Sequence, residues 1–472
     1  MAISPGQLLE MPRQRLGDSI RFYPAGGAPK GSAMGGAAPG MTPQDHFMVA
    51  APVAAGREAA LRLLLASMNA APGTADPGNA VVPFGAFERL HFARLVILDD
   101  ALQADLRAHG VEPERLPACL AFIGDCDGPA GAVLADMAAR AGPGLRRIFA
   151  HCEGWDEHGD LLAWMRAHDR RSAASYVNWV GRTVLQIREE HALQRALAAR
   201  VPRQPATMPG GAERVRKELR AYVAAEIAAG RLALTPPAPP PLGWKLAKLA
   251  HLVAVPLLGL LAMPFLILLS PFLVVLLRMR ETRDPEVCPR PAGADLAALR
   301  EQEDLEISNQ YTALGPAKPG RFRRWLLSSL LVVVNYACRH ICTRGFLGRV
   351  QTIHFAHWIF FDDKTRVVFV SNYDGSHQGY MDDFINKVGW GLNLIFSNGV
   401  GWPRTRWLVL GGARIEQKFK YFQRRHQVPT QVWYKAYPGL ALVDMKRNHR
   451  IREGIEQPSM TDAQALAWLR LL

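Results

Sequence analysis

Residues Leu90 to Asp100 read LHFARLVILDD, and residues Ile353 to Asp363 read IHFAHWIFFDD. Each is an apolar run closed by two aspartates, the pattern of a buried strand that ends in a turn. Farther along, FIGDCDG (Phe122–Gly128) answers FVSNYDG (Phe369–Gly375), and IFAHCEGW (Ile148–Trp155) answers IFSNGVGW (Ile395–Trp402). Between Phe122 and Trp155 the copies align without a gap, and 11 of 34 positions are identical. A fixed offset across a strand, an Asp-Gly turn and a Gly-Trp corner marks a duplicated unit, with function expected where the copies meet.

In the first copy the pattern predicts strands at 91–98, 119–124, 145–151 and 175–180. Helices are predicted at 129–141 and 158–168, with a closing helix at 183–200 and an earlier one at 56–69. The second copy repeats this order with a shorter first hairpin, and TRWLVLGGARI after its Gly-Trp corner has room for a further strand. Hairpin strands covered by helices predict an α+β fold: tandem ferredoxin-like repeats whose antiparallel sheets pack as a pseudo-dimer around a cleft. The boundaries expected are a flexible tail over 1–48, a first repeat over 49–200 and a linker with a proline run over 201–244. A membrane segment over 245–283, connecting helices over 284–349 and a second repeat over 350–472 complete the chain.

Lys and Arg number 56 against 42 Asp and Glu, a net charge of +14, which favours an acidic partner surface. The basic residues are spread along helices rather than packed in one run, so anionic lipid headgroups and a small-molecule ligand are expected as partners, and nucleic acid is not. The 6 cysteines show no paired spacing of a secreted scaffold, and residues 1–48 carry no signal-peptide core, which predicts a reducing, cytoplasmic setting. Leu249 to Leu277 is apolar almost throughout, interrupted by Pro256, Pro264 and Pro271 and flanked by Lys245, Lys248, Arg278, Arg280 and Arg283. A single crossing would part the two repeats. A re-entrant hairpin bent near Pro264, keeping both repeats on the cytoplasmic side of the cell membrane, is therefore expected. Trp325–Ala337 is too short to span, and reads as a core helix or as an interfacial one.

Candidate catalytic residues come in matched pairs. His91 and His354 open the equivalent strands; either they bond structurally to neighbouring groups, or they flank a shared cleft as ligands or acid–base groups. Asp127 and Asp374, each followed by glycine, suit helix-start caps but are also placed for proton transfer. Asn372 and Asn398 add polar groups in the second copy, where the first has Asp125 and His151. Arg404 and Arg406, beside Trp402 and Trp407, could hold an anion or stack on an aromatic ring. His191 and His449 sit on the closing helices, and His449 is the candidate cofactor ligand. Cys338, His340 and Cys342 fall short of the four ligands of a structural zinc site, and no metal set is expected. No P-loop, dinucleotide glycine fingerprint, GxSxG elbow or HExxH occurs.

This layout resembles the dimeric α+β barrel superfamily, and within it the dye-decolourising peroxidases, whose G-x-x-D-G motif is matched by Gly124–Asp125–Cys126–Asp127–Gly128. The second copy has Ser371 in place of the first glycine. The resemblance implies haem, with Asp127 or Asp374 handling protons, an arginine polarising peroxide and a histidine on iron. The HFAHW and SNYDGS blocks are also similar to a group of uncharacterised bacterial membrane-associated proteins. A membrane-associated, peroxidase-like oxidoreductase is the function expected. The alternatives are a non-catalytic membrane protein binding a lipid or small molecule between the repeats, and a hydrolase or isomerase using His354 with Asp374.

Overall fold

The computed structural model describes residues 44–99, 101–113, 116–201, 211–343 and 345–472. In chain order the first half holds β1 (Gln44–Pro52), α1 (Glu58–Ala66), the small hairpin β2 (Asn69–Ala71) and β3 (Thr74–Ala75), β4 (Leu90–Leu98) and β5 (Cys119–Asp127). It continues with α2 (Ala130–Arg140), α3 (Gly142–Phe149), α4 (Leu161–His168), β6 (Ser172–Val177), α5 (Val184–Ala198) and α6 (Ala212–Ala228). The long α7 (Leu242–Arg283) and α8 (Gly293–Arg300) lead to β7 (Ser308–Pro316), α9 (Arg321–His340), β8 (Ile353–Phe361), β9 (Arg366–Asp374) and α10 (His377–Phe396). The chain ends with the hairpin β10 (Thr405–Arg406) and β11 (Leu410–Gly411), then α11 (Glu416–His426), β12 (Val432–Lys435), α12 (Leu442–Glu456) and α13 (Asp462–Leu469). Thr183 with Gln186, and Thr461 with Gln464, form capping boxes that start α5 and α13 by satisfying free amides.

Two four-stranded antiparallel sheets carry the fold, in the orders β1-β5-β4-β12 and β6-β8-β9-β7. Three strands of each sheet come from one half of the chain and the fourth from the other half. The register shifts between Leu90 and Phe92 in one sheet and between Ile353 and Phe355 in the other, at matching points of the two HFA blocks. Strand alternation divides the buried residues. Phe47, Val49, Leu95, Ile97, Leu120 and Phe122 pack under α1 to α4, while Tyr311, Ala356, Trp358 and Phe369 pack under α9, α10 and α11. The opposite faces meet: Met48, Ala50, Val96, Ala121 and Ile123 touch Leu314, Ile359, Phe361, Val368 and Val370. The order is helices, sheet, sheet, helices. Burying each large side chain in this way contributes roughly 1.5–3 kcal/mol.

The α+β class is as expected, but the barrel is not. Both sheets are open, and neither half keeps its four strands in one sheet as a ferredoxin-like unit does. Loops cover the edges instead of closure: Asp169 accepts from the Met48 amide at 2.9 Å along β1, and the Val428 amide donates to Thr312 O at 2.8 Å along β7. Residues 145–151, expected as a strand, fall mainly in α3, because Pro143 starts a helix on which Leu145, Ile148 and Phe149 share a face. Of the expected tail, residues 1–43 lie outside the described residues, whereas residues 44–48 already belong to β1. The connecting region contains a complete sheet strand, β7. TRWLVLGGARI contributes the two short strands β10 and β11.

Among the described residues α7 alone is long and apolar enough to cross a membrane. It is one unbroken helix of 42 residues, about 63 Å at 1.5 Å rise per residue, so the expected hairpin at Pro264 does not form. Its partly covered positions recur at Trp244, Lys248, His251, Val255, Ala262 and Leu273, a single stripe down the helix. Both ends are tied to the folded body. His251 bonds His340 at 2.8 Å, and the Glu281 carboxylate accepts from Thr405 Oγ1 and the amides of Trp407 and Leu408.

Candidate metal centre

The layer between the sheets is apolar at one end and polar at the other. Strand alternation sets His46 on β1, Arg94 on β4 and Asp125 on β5 facing Gln310 and Thr312 on β7, His357 on β8 and Asn372 on β9. The halves match position by position: His46 pairs with Asp125 across β1–β5, and Gln310 pairs with Asn372 across β7–β9. The same offset that aligns His91 with His354 aligns Arg94 with His357. In this layer two imidazoles and one carboxylate stand next to an arginine–amide set.

His46, Asp125 and His357 offer one ligand atom each within 4.8 Å of one another. The His357 ring donates from Nε2 to Asp125 Oδ1 at 2.7 Å, and its Nδ1 meets Ser175 Oγ at 3.0 Å. The His46 ring stacks on His357 with centroids 4.0 Å apart. Both His46 nitrogens are buried and neither makes a hydrogen bond of good geometry, the Gly124 backbone being the polar group beside the ring. Burial, then the nearby His357 and Arg94, hold this imidazole well below its ordinary value, so it stays neutral with a lone pair to offer. The other Asp125 oxygen accepts from Asn372 Nδ2 at 2.8 Å. Asn372 Oδ1 in turn accepts from Arg94, whose guanidinium also bonds Thr312 Oγ1 at 2.9 Å, Tyr311 O at 3.0 Å and Ser371 O at 3.1 Å. Burial lowers Arg94 to about 10, the Asp125 carboxylate opposing the shift. Ser175 behind one imidazole and Asn372 behind the carboxylate orient the donors as supporting groups do around metals.

His46 and His357 also line a cleft of about 480 Å³ beside the sheets. Its far wall is the first turns of α7, through Trp244, Lys248 and His251, and the end of α9, through Arg339 and His340. An ion held by the three donors would keep positions open towards this space.

The residues expected to be catalytic are brought together only in part. His91 donates to Asp127 at 2.9 Å in a buried pair, and His354 donates to Asp374 at 2.7 Å in a partly buried one. The second oxygen of Asp127 accepts from the Val184 amide at 2.8 Å and that of Asp374 from the Leu442 amide at 2.7 Å, so the pairs fasten the strands to the starts of α5 and α12. Burial raises the Asp374 carboxyl, but His354, the Leu442 amide and the Ser308 hydroxyl outweigh it and hold it below its ordinary range. Gly128 and Gly375 take φ of 78° and 89° after these aspartates, a conformation glycine adopts freely. Asn372 belongs to the centre itself. Arg404 and Arg406 are exposed on the loop at the far end of α7. His449 is half-exposed, 3.2 Å from Glu190 and 3.3 Å from Glu453.

Comparison of the chain with protein-family models, curated proteins and solved structures finds no match. The likeness to dimeric α+β barrels and haem peroxidases therefore falls: no relative supports it, the sheets form no barrel, and the donor cluster is of a non-haem type. Sequence reasoning missed His46, assigned to the tail, and His357, read only as part of HFAHW. Asp125 was noted without a partner. The alternation of DHFMVAAPV from Asp45 was the available signal for β1.

Proposed function

We propose that the protein is a membrane-attached metalloenzyme with a mononuclear centre formed by His46, Asp125 and His357. One observation carries the reading: a half-buried imidazole, its two nitrogens shielded from solvent without a well-formed hydrogen bond, sits close to a histidine–aspartate pair. Leaving such a group unpaired costs about 1–3 kcal/mol, and a bound cation would remove that cost for the one ring nitrogen it coordinates. Two imidazoles and a carboxylate suit zinc in an open site or iron(II), with bonds of about 2.0–2.2 Å. A metal held by these donors would supply Lewis-acid chemistry to a group in the cleft, and Ser175, Asn372 and Arg94 would keep the donors aimed.

The fold reading that goes with it is a duplicated chain, a pseudo-dimer in which each half lends one strand to the other's sheet. Matching bulges and matching His–Asp helix caps support it. α7 lies lengthwise in the membrane: its surface is apolar on nearly every side, yet both its ends are fastened to one body. Both halves then stand on one face of the bilayer, and the basic flanks favour the cytoplasmic face.

Metal analysis of the detergent-purified chain tests the centre. About one equivalent of zinc or iron is expected, with affinity falling at least 100-fold in Asp125→Asn and His357→Ala. A well-folded wild-type chain that takes up neither ion removes the proposal. For the membrane reading, Leu242→Cys and Arg283→Cys should react with an impermeant thiol reagent from the same side, in a chain with Cys288 and Cys342 replaced by serine. Labelling from opposite sides would refute it.

A further inference from the structure

The first turns of α7 have two unlike faces. Pro241, Trp244, Lys248 and His251 follow one another at spacings of three and four residues and line the cleft. On the other side Leu242, Leu246 and Leu249 are 72%, 59% and 56% exposed. The same helix that walls the cleft thus presents leucines outward and runs on into the apolar stretch. Inside the cleft Lys248 lies 5.1 Å from the Trp244 ring centroid, and Arg339 bonds Asn335 Oδ1 at 3.2 Å. Among the described residues neither cation has a carboxylate within ion-pair distance. The nearest cleft carboxylate, Asp45, is engaged by the amides of His46 and Ala130 at 2.9 and 2.8 Å.

Resting on the metal-centre reading, we propose that the substrate is an anionic amphiphile, a lipid with a phosphate-bearing headgroup that enters the cleft sideways from the bilayer. Two unpaired cations and a metal converge on one cavity, which selects an anionic head. A wall shared with a membrane helix gives its apolar tail a place to remain. Trp244 stands at the junction, where an amphipathic ring is favoured. The net charge of +14 draws the body towards the same anionic surface.

The test is calorimetric titration of the full-length, metal-loaded protein in detergent with dihexanoyl phosphatidic acid, dihexanoyl phosphatidylcholine and inorganic phosphate. Saturable binding of the phosphatidic acid is expected, at least tenfold tighter than either other probe. The double variant Lys248→Gln/Arg339→Gln should weaken it at least tenfold without changing metal content, whereas Arg214→Gln/Lys217→Gln on α6 should not weaken it. Equal binding of the two lipids, phosphate binding as tightly as the lipid, or an unaffected cleft variant each overturns the assignment. Metal bound without lipid selectivity overturns the substrate alone. Selective lipid binding by a chain that takes up no metal overturns the centre alone.

Discussion

The imidazole of His46 lies flat on that of His357, ring planes 12° from parallel, although the two residues belong to different sheets. A stack could serve packing alone, and the two roles separate under one substitution. His46→Phe keeps an aromatic ring on His357 but removes both orphaned nitrogens. Thermal unfolding should then stay within about 1 kcal/mol of the wild type, or improve, because unpaired buried polar atoms are lost. Metal affinity should fall at least 100-fold. Retained affinity would exclude His46 as a ligand.

Asn372 reaches the centre only through Asp125, which makes it a positioning residue, with Arg94 behind it. Asn372→Ala frees one carboxylate oxygen to rotate. Affinity should drop about 10- to 100-fold, the usual effect of removing such a support. The Co(II)-loaded protein should also change its visible absorption, a signature that a purely structural role would leave alone.

The His–Asp pairs on β5 and β9 should behave as fasteners. Asp127→Ala strands the Val184 amide and the His91 ring in a buried place, and Asp374→Ala does the same to the Leu442 amide and His354. Each should lose about 3–5 kcal/mol of stability, the range for breaking a buried pair. Amide exchange should rise first at the starts of α5 and α12, and metal content should be unchanged in whatever remains folded. Loss of metal before loss of structure would return these residues to the site.

Acid stability follows from His377, the first residue of α10. Both its ring nitrogens are buried and unpartnered, and burial, aided by Arg424, lowers it from 6.5 to about 3. Between those values the unfolded chain binds a proton that the native state refuses. The stabilisation is complete above pH 6.5, is eroded as pH falls, and levels off near pH 3. In His377→Phe, denaturant unfolding followed from pH 7 to pH 4 should show a shallower decline. An identical slope would mean that the ring is already protonated in the folded chain.

The repeated blocks and most sheet strands were legible because apolar runs and turn glycines leave local marks. Leu90–Leu98 and Ile353–Phe361 are short apolar runs, buried along nearly their whole length. Leu145 to Phe149 was misread because an apolar run that short fits a strand or one turn of helix equally well. The exchange of the fourth strand was not legible at all: Val432–Lys435 pairs with β4 through contacts far apart in sequence. The centre was hidden for the same reason. His46, Asp125 and His357 lie on three strands in two sheets, so no local spacing relates them, and the matched pairs drew attention to the residues that fasten the fold.

At the other end of α7, Glu281 is 5% exposed and gathers a strained loop. Its carboxylate accepts from Thr405 Oγ1 at 3.0 Å and from the Trp407 and Leu408 amides at 3.0 and 2.9 Å, while Arg278 pairs with it and lies over the Trp407 ring. Trp407 and Leu408 have φ of 57° and 61°, a left-handed conformation costly for bulky residues and maintained only by such over-determination. Glu281→Gln keeps the volume but turns one acceptor into a donor facing donors. The loss should be about 1–3 kcal/mol, confined to this loop. Amide exchange across Thr405–Leu408 should accelerate at least tenfold, while metal affinity at the opposite end of α7 stays at the wild-type value. Unchanged exchange would mean that the loop is held by Trp407 packing rather than by the carboxylate.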